Sequence, residues 1–372
     1  MKSILFLLSA TIVFQIAIAQ NSDLRLNQIQ IIASHNSYKK RPDDRELKFL
    51  MKVKDKLGKE NNPIALDYGH LPFDSQFTFY NVRGLEIDIN NDPKGGLYYR
   101  RKLNAFVRGM KPKSGIPELK KPGLKVLHIK DIDYGTHYYT FIQALTAIRN
   151  WSDAHPNHLP LLINLEAKGV GPGDRSAAAR FLGFKRSIPF NAAATDSIDA
   201  EIKRVFGHTA DNVLSPDRLR GEYASLNDMA THNGWPALED CLGKVVFILQ
   251  GHCDSYLDNH PGLQGRLCLM YAEPGQPECA FVKRDDPNRD VPALVKQGYM
   301  VRTRSDAGST EMRQNTYERM NAAFESGAHI ISTDYYKPDL RFSTYQVHFK
   351  NHEPGRVNPV NGGGYNGPLP GE

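Results

Sequence analysis

The chain has 372 residues, 40% of them hydrophobic and 24% charged, and a formal net charge of +6. That apolar share supports a folded core and excludes a disordered polyelectrolyte, and the small basic excess gives no reason to expect a nucleic-acid binder. Four cysteines are too few for a small disulfide scaffold, and the length points to one large α/β barrel or two ordinary domains.

In chain order, Lys2, the apolar run from Ile4 to Ala17 and the small-residue pattern Ala17-Ile18-Ala19 read as a secretory signal peptide cleaved after Ala19. The expected product is a soluble chain, secreted or periplasmic, since that run is too short for a membrane span and no later stretch approaches the length of one. QIQIIAS (28–34) then predicts a first strand, which runs directly into His35-Asn36-Ser37-Tyr38. GLEIDIN (84–90) predicts a second strand, preceded by His70 in DYGHLPFDSQF. Between Lys94 and Lys125 stand ten Lys/Arg and one acidic residue, Glu118, with Tyr98 and Tyr99 among them. This stretch reads either as a solvated insertion or as a patch drawn to anionic phosphates or a lipid surface.

LKVLHIK (124–130) predicts the third strand, LPLLINLE (159–166) the fourth, and KVVFILQ (244–250), ECAFVK (278–283), GYMVRTR (298–304) and AHIISTD (328–334) the rest. Helical patterns cover His137 to Asp153, Asp196 to Phe206 and Thr310 to Ser326. Strands alternating with helices predict a parallel sheet. Eight of them, with no linker or internal repeat, predict a single (β/α)8 TIM-type barrel over residues 20–353, with the basic insertion between strands two and three. The Gly-, Pro- and Asn-rich tail from Pro354 to Glu372 is expected to be poorly ordered. Cys241 and Cys253 flank KVVFILQ, a strand that separates its ends by roughly 20 Å, beyond disulfide reach. That disfavours 241–253 pairing and with it 268–279; the other two connectivities of Cys241, Cys253, Cys268 and Cys279 stay open, as do free thiols.

In such a barrel, functional side chains sit at the C-terminal ends of the strands. Glu86 and Asp88 are two apart on strand two and share a face. Glu166 closes strand four, Asn36 follows strand one, and His128 lies on strand three. Three carboxylates and an amide at one opening repel unless a cation lies between them, and hard oxygen donors suit Ca²⁺ better than Zn²⁺. Two histidines outside the metal shell, His35 and His128, suit proton transfer near neutral pH.

On LNQIQIIASHNSY, NVRGLEIDIN, VLHIKDID, HLPLLINLEAK, MVRTRSD and SGAHIISTDYY, in that order, the sequence resembles the secreted bacterial branch of the calcium-dependent phosphatidylinositol-specific phospholipases C. The resemblance implies cleavage of the glycerol–phosphate bond of an inositol phospholipid at a membrane surface by a monomer. The inositol 2-hydroxyl attacks phosphorus, diacylglycerol leaves and a cyclic inositol phosphate forms. It implies Asn36, Glu86, Asp88 and Glu166 as Ca²⁺ ligands, His35 acting at the phosphoryl group, and His128 as the general acid on the leaving alcohol. His70 competes for the second histidine, but it lies before strand two. Lys168 and Arg304 are the candidates for substrate phosphate or inositol hydroxyls; Arg304 is equally a candidate for an ion pair with Asp306 or Asp334. The rivals are a glycerophosphodiester phosphodiesterase, which resembles a His-Arg pair after strand one where this chain has His35-Asn36, and a non-catalytic inositol-glycan binding module.

Overall fold

The computed structural model describes residues 24–57, 62–365 and 367–371, so the leader expected over residues 1–19 lies outside the described residues. One sheet of ten strands contains β1 (Ile29–Ser34), β2 (Gly84–Asn90), β3 (Lys125–Val126), β4 (Leu161–Ala167), β5 (Val245–Gly251), β6 (Cys268–Tyr271), β7 (Cys279–Lys283), β8 (Met300–Arg304), β9 (Ile330–Thr333) and β10 (Gly355–Val357). All but β3 and β10 run parallel, and β1 pairs with both β9 and β2, which closes an eight-stranded barrel. The strands read as nearly continuous apolar runs because the lumen and the outer helices cover both faces; β1 and β2 are buried along their whole length.

The seam of the cylinder depends on one residue. Ala33 lies opposite Gly84 where β1 meets β2. A Cβ at position 84 would stand 2.5 Å from the Ala33 Cβ and 2.9 Å from Ile31 Cδ1. Glycine is what lets the two backbones approach.

The helix Phe141–Ala154 starts at Thr140, whose side chain accepts from Gln143 N in a reciprocal capping box, and it buries Phe141, Leu145, Ile148 and Trp151. The helix predicted over Asp196 to Phe206 begins four residues earlier, at Ala192, because Asn191 supplies the cap. The stretch from Thr310 to Ser326 is two helices, Thr310–Gln314 and Glu318–Glu325, broken where Asn315 adopts φ of +55°.

Two expectations need correction. LKVLHIK is not a barrel strand. Only Lys125 and Val126 join the sheet, and they run antiparallel to Ile89 and Asn90, on the part of β2 that β1 is too short to cover. The eighth barrel member is instead β6, a four-residue strand whose Cys-Leu-Met-Tyr sequence lacks the β-branched residues that marked the others. The tail is partly ordered: Gly355–Val357 adds to β1 as an antiparallel strand, and Asn358 N donates to Gln28 O. All four cysteines are buried free thiols.

The basic insertion packs on small cores of its own, Tyr98 with Leu119, Leu127 and Tyr134, and Leu103 and Val107 with Leu50. Two of its cations are structural. Arg101 pairs with Glu46 and donates to Ile132 O, and Lys125 donates to the Lys121 and Gly123 carbonyls. Lys94, Arg100, Arg108, Lys111, Lys113, Lys120 and Lys121 remain exposed.

Candidate active site

The parallel register sets Glu86 beside Asn164 and Asp88 beside Glu166. These side chains point into the lumen, because Glu86 Oε2 meets Arg302 Nη2 at 2.6 Å and β2 and β8 are not neighbours in the sheet. Glu86, Asp88 and Glu166 each offer an oxygen, all within 4.8 Å of one another.

Asp88 is fully buried, and neither of its oxygens accepts a hydrogen bond from the described residues. Burial, joined by the charges of Glu166 and Glu86 and opposed by Lys168, pushes its carboxyl well above the ordinary range. Such a group is stable as an anion only with a cation beside it. Lys168 fills that need here, its Nζ 2.9 Å from Glu166 Oε1 and 3.2 Å from Asp88 Oδ2. The two carboxylates outweigh burial and hold the ammonium pKa above its ordinary value. Gln250 Nε2 donates to Glu166 Oε2 at 3.2 Å, and Asn164 Nδ2 donates to Glu86 Oε2 at 2.9 Å. Arg302 and Asn164 both hold Glu86 Oε2, while Glu86 Oε1 faces His35 Nε2 at 3.3 Å. An oxygen-only donor set around an under-satisfied buried carboxylate fits Ca²⁺.

Asn36 takes φ of +50°, a conformation asparagine tolerates better than most residues. The turn it sits in is stapled to β2: Ser37 N donates to Glu86 O at 2.9 Å, and Glu86 N donates to Ser37 Oγ at 2.8 Å. Asn36 Nδ2 donates to Tyr68 Oη at 2.9 Å and Oδ1 accepts from Tyr38 Oη at 3.4 Å. Tyr38 is fully buried, and after burial itself Asp88 is the largest influence raising its phenol pKa.

His35 has a carboxylate at each ring nitrogen, Asp334 Oδ1 at 2.7 Å from Nδ1 and Glu86 Oε1 at 3.3 Å from Nε2. Asp334 is braced by Arg304 Nη2 at 2.9 Å, and its backbone N donates to Asp306 Oδ1. Arg304 therefore makes the ion pair with Asp334, while its Nε has no hydrogen-bond partner among the described residues. A cleft of about 540 Å³ opens at this point, lined by Asp334, Tyr68, His70, His137, Tyr336 and Lys337 among others.

His128 lies on a bend beyond β3, its Nδ1 2.9 Å from Asp133 Oδ2. Burial lowers its pKa and outweighs the opposing effect of Asp133. Asp133 in turn lies 3.4 Å from the Nζ of Lys39, a fully buried lysine that also donates to the Leu66 and Tyr68 carbonyls. Burial pushes the Asp133 carboxyl up, but Lys39 and His128 pull it down to about 2. His70 lines the cleft and is held by other contacts. Its Nε2 donates to His35 O at 2.7 Å, its ring stacks on Tyr336, and burial lowers its pKa to about 4.

The structure thus brings Glu86, Asp88, Glu166 and Lys168 into one cluster, with His35 on Glu86, Asn36 facing Tyr38, and Arg304 behind Asp334. Asp334, Asp133, Arg302 and Lys39 were not singled out from sequence as site residues. Asp334 ends the last predicted strand and Asp133 lies five residues past His128, which are usable signals. Lys39, in a Lys-Lys pair after a turn, carries none.

The profile described as phosphoinositide phospholipase C, Ca²⁺-dependent, matches residues 24–359. No curated protein sequence matches significantly. Among solved structures, the chain is similar to the calcium-dependent phosphoinositol-specific phospholipase C of a Gram-negative Pseudomonas species. The TM-score is 0.51 at 14% identity, over 90% of this chain and 96% of that one. A Ca²⁺-dependent phosphatidylinositol-specific phospholipase C from Streptomyces antibioticus aligns over 84% of this chain and 95% of its own, at 15% identity and a TM-score of 0.49.

Proposed function

The chain belongs to the Ca²⁺-dependent phosphoinositide phospholipase C family, and on that premise we propose that it cleaves the glycerol–phosphate bond of phosphatidylinositol-type lipids by attack of the inositol 2-hydroxyl. Diacylglycerol and a cyclic inositol phosphate are the products. The observation that carries the site assignment is the trio of Glu86, Asp88 and Glu166, with Asp88 buried and lacking a hydrogen bond from the described residues.

Asn36, Glu86, Asp88 and Glu166 would hold the ion, which when bound lowers the pKa of a coordinated hydroxyl and offsets phosphate charge. The hydroxyl proton goes to a carboxylate of this cluster. Burial raises the Glu86 pKa, but His35 and Arg302 outweigh it and keep that group a weak base, so we assign the proton to Glu166. Asp334 fixes the His35 ring, which meets the phosphoryl oxygens. Asp133 accepts the Nδ1–H of His128, which leaves Nε2 to protonate the departing glycerol oxygen. Lys168, once released from Asp88 and Glu166, is available to the phosphate, and Arg304, braced on Asp334, is the candidate for an inositol hydroxyl. The enzyme acts as a monomer, transiently at a lipid surface, after export directed by residues 1–19.

Phosphorus NMR of phosphatidylinositol turnover tests this reading. With Ca²⁺ the first product is a cyclic inositol phosphate, and EDTA abolishes its formation. Turnover that persists in EDTA, or a glycerol phosphate in place of the cyclic ester, contradicts it.

A further inference from the structure

Phe181 is 92% exposed and Leu182 51% exposed. The helix that ends at Phe181, Ala177–Phe181, buries none of its residues. This segment follows β4 and is fastened at both ends to the C-terminal end of β2. Before it, Lys168 N donates to Ile89 O at the end of β2; after it, Pro189 O accepts from Asn91 Nδ2 at 2.8 Å. In between, Phe184 stacks on Phe106 with centroids 6.2 Å apart, Lys185 N donates to Asp131 Oδ2 at 2.9 Å, and Lys185 Nζ donates to Leu97 O at 2.7 Å. The tip is thus held out by its own packing on the basic insertion.

The charge around it is of one sign. Arg175, Arg180 and Arg186 are exposed and form no ion pair among the described residues. The one acid of the segment, Asp174, is spent on the backbone N–H groups of Gly171 and Ser187. Phe106, itself 40% exposed, extends the apolar patch toward Arg108, Lys111 and Lys113 of the insertion, all exposed.

We propose that Phe181 and Leu182 enter the apolar layer of an anionic lipid bilayer while Arg175, Arg180, Arg186 and the insertion's outer cations meet its phosphates. A two-residue apolar tip ringed by cations matches the depth profile of such a surface, with hydrocarbon below and phosphate around. A protein partner would ask for a broader packed area. The proposal deepens the reading given under Proposed function, because the bilayer engaged is the one that carries the substrate.

The test is sedimentation of the full chain, and of a Phe181→Ser/Leu182→Ser variant, with vesicles of phosphatidylcholine and phosphatidylglycerol in EDTA. These vesicles contain no inositol lipid, so their binding is independent of turnover. The variant is expected to partition about 10²-fold more weakly, the value of two apolar side chains left in water, with an unchanged melting temperature. Wild-type partitioning in the variant, or a wild type that does not bind, overturns the proposal. So does sedimentation velocity showing that the substitution breaks a dimer while vesicle binding persists. If vesicles are bound through the tip but phosphatidylinositol is not cleaved, the catalytic reading falls and the anchor stands.

Discussion

Substituting His128 by alanine is expected to slow phosphatidylinositol cleavage by roughly 10²–10⁴-fold, the range lost with a positioned general acid, while leaving calcium affinity close to wild type. The separation follows from where the ring sits. Its hydrogen-bond partner is Asp133, whereas Lys168, Glu166, Asp88 and Glu86 contact one another. The pH profile offers a second check. An acid must carry its proton, so kcat/KM falls as pH rises through the His128 pKa. Burial places that pKa below the ordinary histidine value, so the alkaline limb belongs on the acid side of neutrality. Removing Asp133, which opposes the effect of burial, moves that limb to still lower pH. Equal loss of calcium binding and turnover in His128→Ala would show that the ring belongs to the metal site instead.

Asp133→Asn is the second large effect, expected to destabilise the fold by roughly 3 kcal/mol or more at neutral pH. The cost comes from Lys39, whose ammonium is buried and keeps only carbonyl acceptors once the carboxylate is gone. The sign of the pH dependence is definite. The Asp133 pKa lies near 2 in the folded protein against an ordinary 3.8. Its contribution is therefore present above pH 3.8 and lost as pH falls toward 2. In the variant, the buried Lys39 loses its proton more readily when folded than when unfolded, so stability climbs with alkaline pH. Urea melts of both proteins between pH 3 and pH 10 measure this. A variant as stable as wild type at pH 7 would show that the Lys39–Asp133 pair carries no weight.

Much of the architecture was legible because barrel strands are buried on both faces and advertise themselves as apolar, β-branched runs. Seven of the eight were read that way. The eighth, Cys268–Tyr271, is short and Met-bearing, and the stretch read in its place, LKVLHIK (124–130), imitates a strand by alternation while only Lys125 and Val126 join the sheet. The carboxylate trio was legible for a topological reason: spacing two on β2 and a terminal glutamate on β4 become neighbours once the strands align in register. What the sequence hid are contacts across the lumen. The link from Arg302 to Glu86 joins β8 to β2, 216 residues apart, and the link from His35 to Asp334 spans 299. No local pattern encodes a pairing that only closure of the cylinder brings about.

The most direct measurement is thermal melting of the metal-free protein and of Asp88→Asn, each titrated with calcium. Ligand that binds only the folded state raises the melting temperature. The wild type is therefore expected to gain stability with calcium and much less with magnesium. Asp88→Asn is expected to start higher, relieved of a buried carboxylate, and to lose the calcium response. A variant that keeps the wild-type calcium shift would contradict the assignment of Glu86, Asp88 and Glu166 as the cradle of the ion.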